Sequence, residues 1–229
     1  MCGRFVMHSS EEELLEEFGV ETIHHEVSAS YNIAPSQDVA VVLQGRGERH
    51  LGYLRWGLIP SWTKDLKKAR RPINARSETV HSKPTFRSPF KRRRCLIPAN
   101  GFYEWQKTGQ GKIPTFLYMP ERPLFAMAGL WDRWESPEGE LISSCTILTT
   151  EANERIAPIH NRMPVIVNPD NFDLWLDSSV SGVEALEHLF VPLPSKEFAS
   201  YAVSTRVNKP LHNDPSCMER TDDDLPKLR

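Results

Sequence analysis

The second residue is the first that could do chemistry. In "MCGRF" a cysteine follows the initiator methionine, and methionine is ordinarily trimmed when its neighbour is small. Cys2 would then carry a free α-amine beside its thiol, two nucleophiles on adjacent carbons with reference pKa values of about 7.7 to 8.0 and about 8.5. "MC" alone is equally compatible with a small residue that happens to stand second. Glu104 lies in "ANGFYEWQK" between Tyr103 and Trp105, surroundings expected to strip water from a carboxylate and raise its pKa toward neutral proton exchange. An outward-facing glutamate on an alternating strand is the other reading. His160, in "IAPIHNRMPVIV", stands beside Arg162 and between Pro158 and Pro164; imidazole is suited to proton transfer at physiological pH, and a histidine at the start of an apolar strand can equally be structural. In "RRPINARSET", Asn74 offers a donor and acceptors, and Arg76 matches phosphate bidentately; the same asparagine could cap a helix.

Charge adds a second kind of signal. The chain holds 28 Lys and Arg against 30 Asp and Glu, yet between Trp62 and Arg94 twelve basic residues face only Asp65 and Glu78. A positive surface on an acidic body is the footprint of a phosphate-backbone binder, with a solvated basic loop as the alternative. Aromatic residues interleave with this run: Trp56 and Trp62 precede it, and Phe86 and Phe90 fall inside it. Trp56 alternates with Leu54 and Leu58, as core does. Trp62, after Pro60 and among polar neighbours, is the better surface for stacking a base.

These residues need a scaffold, and the pattern predicts mostly strands. "SSEEELLEEFG" reads as a first helix, with Ser10 and Glu13 as a capping box and Gly19 as its stop. Short β-branched or aromatic runs follow at 39–43, 51–59, 116–119, 124–131, 144–150 and 163–167, bounded by turn residues. "PDNFDLWL" and "GVEALEHLF" predict later helices. The expectation is a single α+β domain over residues 2–215, its mostly antiparallel strands too many for one flat sheet and so forming a barrel-like or two-sheet core with flanking helices. Residues 216–229 are expected to form an acidic tail.

Several classes are disfavoured. No run approaches the roughly 20 apolar residues of a membrane span, and no signal peptide opens the chain, so a cytoplasmic protein is expected, nucleoid-associated when bound to DNA. Cys2, Cys95, Cys145 and Cys217 are scattered without a CxxC pair, and no HExxH occurs, so neither metal nor other cofactor is expected.

"MCGRF", "YNIAPSQ", "RWGLIPSW", "INARSET", "RRCLIPANGFYEW", "IHNRMPVIV" and "AVSTRVNK" occur in an order that resembles the SOS-response-associated peptidase (SRAP) family from Cys2 to about Val207. The "KDLKKARR" stretch and the acidic end are less typical of it. The resemblance implies that Cys2, freed of Met1, crosslinks covalently to abasic sites in single-stranded DNA. It implies Asn74 as holder of the N-terminal residue and the reacting sugar, and Glu104 and His160 as the proton-transfer pair. Arg4, Arg76 and Arg162 resemble phosphate ligands, and Trp62 with Pro35 the wedge that interrupts base stacking. The implied partner is abasic single-stranded DNA, bound by a monomer, with replication or repair proteins as further candidates. Two other readings stay open: an N-terminal-nucleophile thiol peptidase, as the family's name suggests, and a noncovalent single-strand binding module.

Overall fold

The computed structural model describes residues 2–45, 47–109 and 111–221. Its first helix, α1 (Glu11–Phe18), starts as its capping box predicts: the Ser10 hydroxyl accepts from the Glu13 N–H while the Glu13 carboxylate accepts from the Ser10 N–H. Gly19 ends it at φ 57°, a left-handed conformation in which glycine meets no Cβ penalty. Leu14 and Phe18 are its buried face.

Fourteen strands make up most of the remaining regular structure among the described residues. They are β1 (Phe5–Met7), β2 (Thr22–Ile23), β3 (Ser30–Ile33), β4 (Asp38–Gly45), β5 (Glu48–Trp56), β6 (Asn74–Arg76), β7 (Arg94–Ala99), β8 (Gly101–Thr108), β9 (Gly111–Tyr118), β10 (Phe125–Glu135), β11 (Leu141–Glu151), β12 (Arg162–Pro164), β13 (Ile166–Val167) and β14 (Ala199–Ala202). Five of them close a barrel. Strands β11, β10, β7, β4 and β5 pair successively, and parallel pairing of β5 with β11 (Arg55 with Ser144, Trp56 with Cys145) joins the ends. The barrel is tight where β10 crosses it: a Cβ on Gly129 would lie 2.6 Å from the Cys95 sulfur and 2.9 Å from Ile97.

A second sheet runs β14-β9-β8-β1-β3. Phe5 of β1 meets Trp56 of β5 edge-on, centroids 5.2 Å apart, and both belong to the main core. The fold is therefore the expected α+β arrangement of a barrel and a second sheet with helices at its flanks, built on the main core and a smaller cluster of Val6, Tyr103, Phe116, Val203 and Val207.

Local readings differ in several places. "GVEALEHLF" forms turns and one 3-10 segment (Glu187–Phe190) instead of a helix; Leu186, Leu189 and Phe190 still bury, a spacing a tighter winding satisfies, and Pro192 and Pro194 stop further growth. Phe86 and Phe90 are buried core of a second helix, α2 (Pro84–Arg92), and do not interleave with surface charge. Arg94, counted in the basic run, is buried, donating to the carbonyls of Phe90, Trp175, Asp177 and Val180. Asn74 caps no helix; it opens a strand. A third helix, α3 (Phe172–Leu176), forms where "PDNFDLWL" predicts one. The boundary at 216 falls inside a packed segment, since Pro215–Met218 is a 3-10 turn and the Thr221 N–H donates to the Ala202 carbonyl. Residues 222–229 of the expected tail lie outside the described residues.

Candidate functional site

Strand register carries Glu104 to the start of the chain. In the β1–β8 ladder Phe5 stands opposite Phe102 and Val6 opposite Gly101, and the Tyr103 N–H donates to the Arg4 carbonyl at 2.9 Å. Glu104 is the next residue of β8, on the same face as Phe102, and it is buried. Cys2 is fully buried in the main core. Its thiol is pushed up from the ordinary range, first by burial and then by the negative charge of Glu104. The sulfur's own hydrogen bond runs to the Arg4 carbonyl, 3.9 Å away.

Asn74 approaches Cys2 from the barrel. As β6 it lies parallel to β11, Asn74 beside Ile147 and Arg76 beside Thr149. From there its amide Nδ2 donates to the Cys2 carbonyl at 2.9 Å, while its Oδ1 is buried and accepts nothing from the described residues. Cys2, Asn74 and Glu104 therefore converge from β6, β8 and the chain start.

A second group forms around the end of β11. Strand β12 pairs along β11 with Glu151 opposite Arg162, so Arg76 and Arg162 flank that end from its two edges. Arg162 is nearly buried: it holds Glu78 through both carboxylate oxygens and donates to the Thr149 carbonyl at 2.6 Å. The Arg162 hydrogen bonds, helped by the charge of Arg76, hold the Glu78 carboxyl below its usual range. Arg76 is exposed. His160 Nδ1 accepts the Arg162 N–H at 3.0 Å, which assigns the proton of a neutral imidazole to Nε2.

The other expected ligands lie apart. Arg4 is buried, with Nη1 donating to Asn32 Oδ1 at 2.7 Å and to the Val207 carbonyl at 2.6 Å, and its guanidinium 5.8 Å from the centre of the Trp105 ring. It ties β1 to β3 and to the Thr205–Asn208 turn. Pro35 is exposed in the turn before β4, next to Ser36 at φ 73°, and this turn is pinned to the end of β5 by Ser36 N–H on the Trp56 carbonyl at 2.8 Å. Trp62, 63% exposed, stands on the loop that follows β5. It borders a groove of about 820 Å³ lined by Lys64, Lys68, Arg70, Arg71 and Lys83. Glu78 was not anticipated as a site residue; it stands within "INARSET", and only its position two residues past Arg76 could have drawn attention to it.

The sequence profile described as SOS response associated peptidase (SRAP) matches residues 1–210. The chain belongs to this family. Its similar SRAP relatives include the Bacillus subtilis abasic site processing protein YoqW, 41% identical over 96% of this chain and 99% of that one. The Gallus gallus abasic site processing protein HMCES is 35% identical over 86% of this chain and 68% of that protein. A crystal structure of a protein from Bacteroides thetaiotaomicron superposes with a TM-score of 0.87 at 27% identity, covering 96% of this chain and all of that one. Among the described residues, no group of three or more His, Cys, Asp or Glu is placed to hold a metal ion, and no helix is long and apolar enough to cross a membrane.

Proposed function

We propose that this SRAP protein processes abasic sites in single-stranded DNA by capturing the open-chain sugar on Cys2. The observation that carries the reading is the convergence on one residue: Asn74 holds the Cys2 carbonyl at 2.9 Å, and the buried Cys2 thiol lies near enough to Glu104 to feel its charge.

The chemistry follows from what Cys2 offers once Met1 is removed. An abasic deoxyribose equilibrates with an aldehyde at C1′. Opening the ring moves the proton of the C1′ hydroxyl to O4′, a transfer relayed by the His160–Glu104 pair, with the Nε2–H of His160 replaced as it is given up. The α-amine then adds to C1′; its two protons pass in turn, by way of Glu104, to the former aldehyde oxygen, which leaves as water, and a Schiff base remains. The thiol adds across that C=N bond, its sulfur to C1′ and its proton to nitrogen, closing a five-membered thiazolidine of N, Cα, Cβ, S and C1′. The net loss is one water. Because amine and thiol belong to one residue, closure is intramolecular and gains the large effective concentration of a tethered group. An open Schiff base acidifies C2′ and invites β-elimination, so closure protects the strand. Arg76 and Arg162 supply phosphate contacts around the end of β11, and Trp62 with Pro35 supplies the wedge.

The thiol-peptidase alternative needs a thiolate favoured by an electropositive setting. Burial and the Glu104 charge both act in the opposite direction on Cys2, whereas a thiol that adds to an imine needs only to give up its proton during closure. The deciding experiment incubates the processed protein with a single strand bearing one abasic site and measures intact mass. An adduct of protein plus oligonucleotide minus one water is expected, absent for Cys2→Ala and for protein that retains Met1. A wild-type protein that binds the strand without gaining its mass, with an affinity that Cys2→Ala leaves unchanged, would restore the noncovalent-binder reading.

A further inference from the structure

Trp62 stands at the tip of a β-turn, and the peptide groups on both sides of it are gripped by one barrel strand. The Thr63 N–H donates to the Pro60 carbonyl at 2.9 Å, closing a four-residue turn with Trp62 third. On one side of the indole, the Ser61 N–H donates to Asp132 Oδ2 at 3.0 Å. On the other, Trp134 Nε1–H donates to the Thr63 carbonyl at 2.7 Å. Asp132 and Trp134 lie two residues apart on β10, so their side chains leave the same face of the strand, and both are buried. The Asp132 carboxylate also accepts from the Arg93 guanidinium at 3.0 Å and from the Arg133 N–H at 2.9 Å. Both its oxygens are thereby used, and a cation of the basic run is fixed to the same anchor.

The arrangement is odd for structure alone. A tryptophan 63% exposed adds little to the core, yet two buried side chains hold its backbone in place. Fixing a contact residue in its bound position removes the ordering cost that association would otherwise carry. We infer that Asp132 and Trp134 are positioning residues that hold Trp62 as a rigid stacking surface for an unpaired base, at the edge of the groove lined by Lys64, Lys68, Arg70 and Arg71. This rests on the single-strand-binding part of the proposed function and is independent of the chemistry at Cys2. Neither residue touches DNA in this scheme; both act through the turn.

The test is fluorescence anisotropy of the full chain on a labelled, undamaged single strand, for wild type, Trp62→Ala, Trp134→Phe, Asp132→Asn and the Trp62→Ala/Trp134→Phe pair, with melting temperatures measured alongside. Trp134→Phe keeps the ring's bulk and removes the donor. Loss of a stacked base predicts weakening by about fivefold or more for Trp62→Ala, and loss of its clamp by about threefold or more for Trp134→Phe. In the Trp62→Ala background, Trp134→Phe should weaken binding no further while lowering the melting temperature as much as before. A loss from Trp134→Phe that is the same with and without Trp62 overturns the inference, as does wild-type binding by either single variant. Asp132→Asn, which leaves Arg93 facing a neutral amide, should behave like Trp134→Phe; if it does not fold, the Trp134 cycle decides. Adduct formation on a damaged strand, measured separately, reports on Cys2, so failure of the clamp and failure of the abasic-site reading are told apart.

Discussion

Replacing Asn74 with alanine removes one hydrogen bond to the reacting residue and one buried acceptor beside it, and leaves the strand pairing in place. The amide donates to the Cys2 carbonyl at 2.9 Å, and its buried Oδ1 is, on the proposed reading, the acceptor for the freed amine or the sugar hydroxyl. The backbone of Asn74 stays paired with β11 in either case. Each hydrogen bond is worth about 0.5 to 1.5 kcal/mol, so losing both raises the barrier by about 1 to 3 kcal/mol. That slows capture by about 5- to 150-fold. Asn74→Asp keeps an acceptor but sets a carboxylate oxygen against the Cys2 carbonyl, and should be slower still. The assay is single-turnover adduct formation on denaturing gels across a range of DNA concentrations. The maximal rate should fall while the half-saturating concentration holds, because the proposed phosphate contacts belong to Arg76 and Arg162. An Asn74→Ala protein that reacts within about twofold of wild type, less than one ordinary hydrogen bond, would show that the bond to Cys2 does not set the geometry of attack.

Cys2→Ser keeps the amine but closes only a weaker oxazolidine, so it should yield a Schiff base trappable by borohydride and more strand cleavage than wild type, both visible on sequencing gels. Glu104→Gln should slow adduct formation by about a hundredfold, the lower range for losing a positioned proton carrier. With the charge gone the Cys2 thiol should ionise at lower pH, seen as a shift in its alkylation profile. Glu78 is held below the ordinary carboxylate range chiefly by Arg162, so it stabilises the fold above its unfolded pKa of about 4.3, and that contribution disappears as pH falls through the lower folded value. Glu78→Gln should therefore cost about 0.5 to 1 kcal/mol at pH 7, the scale of a half-exposed, solvent-screened pair. In urea titrations its deficit against wild type should shrink as the pH falls below about 4.3 and through the lower folded value.

Local signals in the sequence were dependable where the physics is local. The Ser10–Glu13 capping box and the Gly19 stop give α1 directly, and the alternation of Leu54, Trp56 and Leu58 marks Trp56 as core. Closure of the barrel rests on β5 pairing with β11 some ninety residues later, and nothing in either strand's pattern names its partner. Asn74 shows the same limit: as an isolated asparagine it could cap a helix or open a strand, and only its place beside Ile147 decides. Helix α2 lay hidden because Phe86 and Phe90, four apart on its buried face, are embedded among lysines and arginines that draw the eye to charge. The proximity of Cys2 and Glu104 follows from the β1–β8 register; the motifs suggested the pair, and the ladder explains how one strand carries the carboxylate to the chain start. Arg4 resembles a surface ligand by type, but its bonds to Asn32 and Val207 come from segments remote in sequence.

The bonding at the captured carbon is best read with a single strand carrying ¹³C at C1′ of its abasic site. After reaction with protein lacking Met1, the labelled carbon should resonate as a saturated carbon bonded to both nitrogen and sulfur, and Cys2 should no longer react with maleimide. An imine-type resonance that persists, with the thiol still open to alkylation, would contradict ring closure on Cys2.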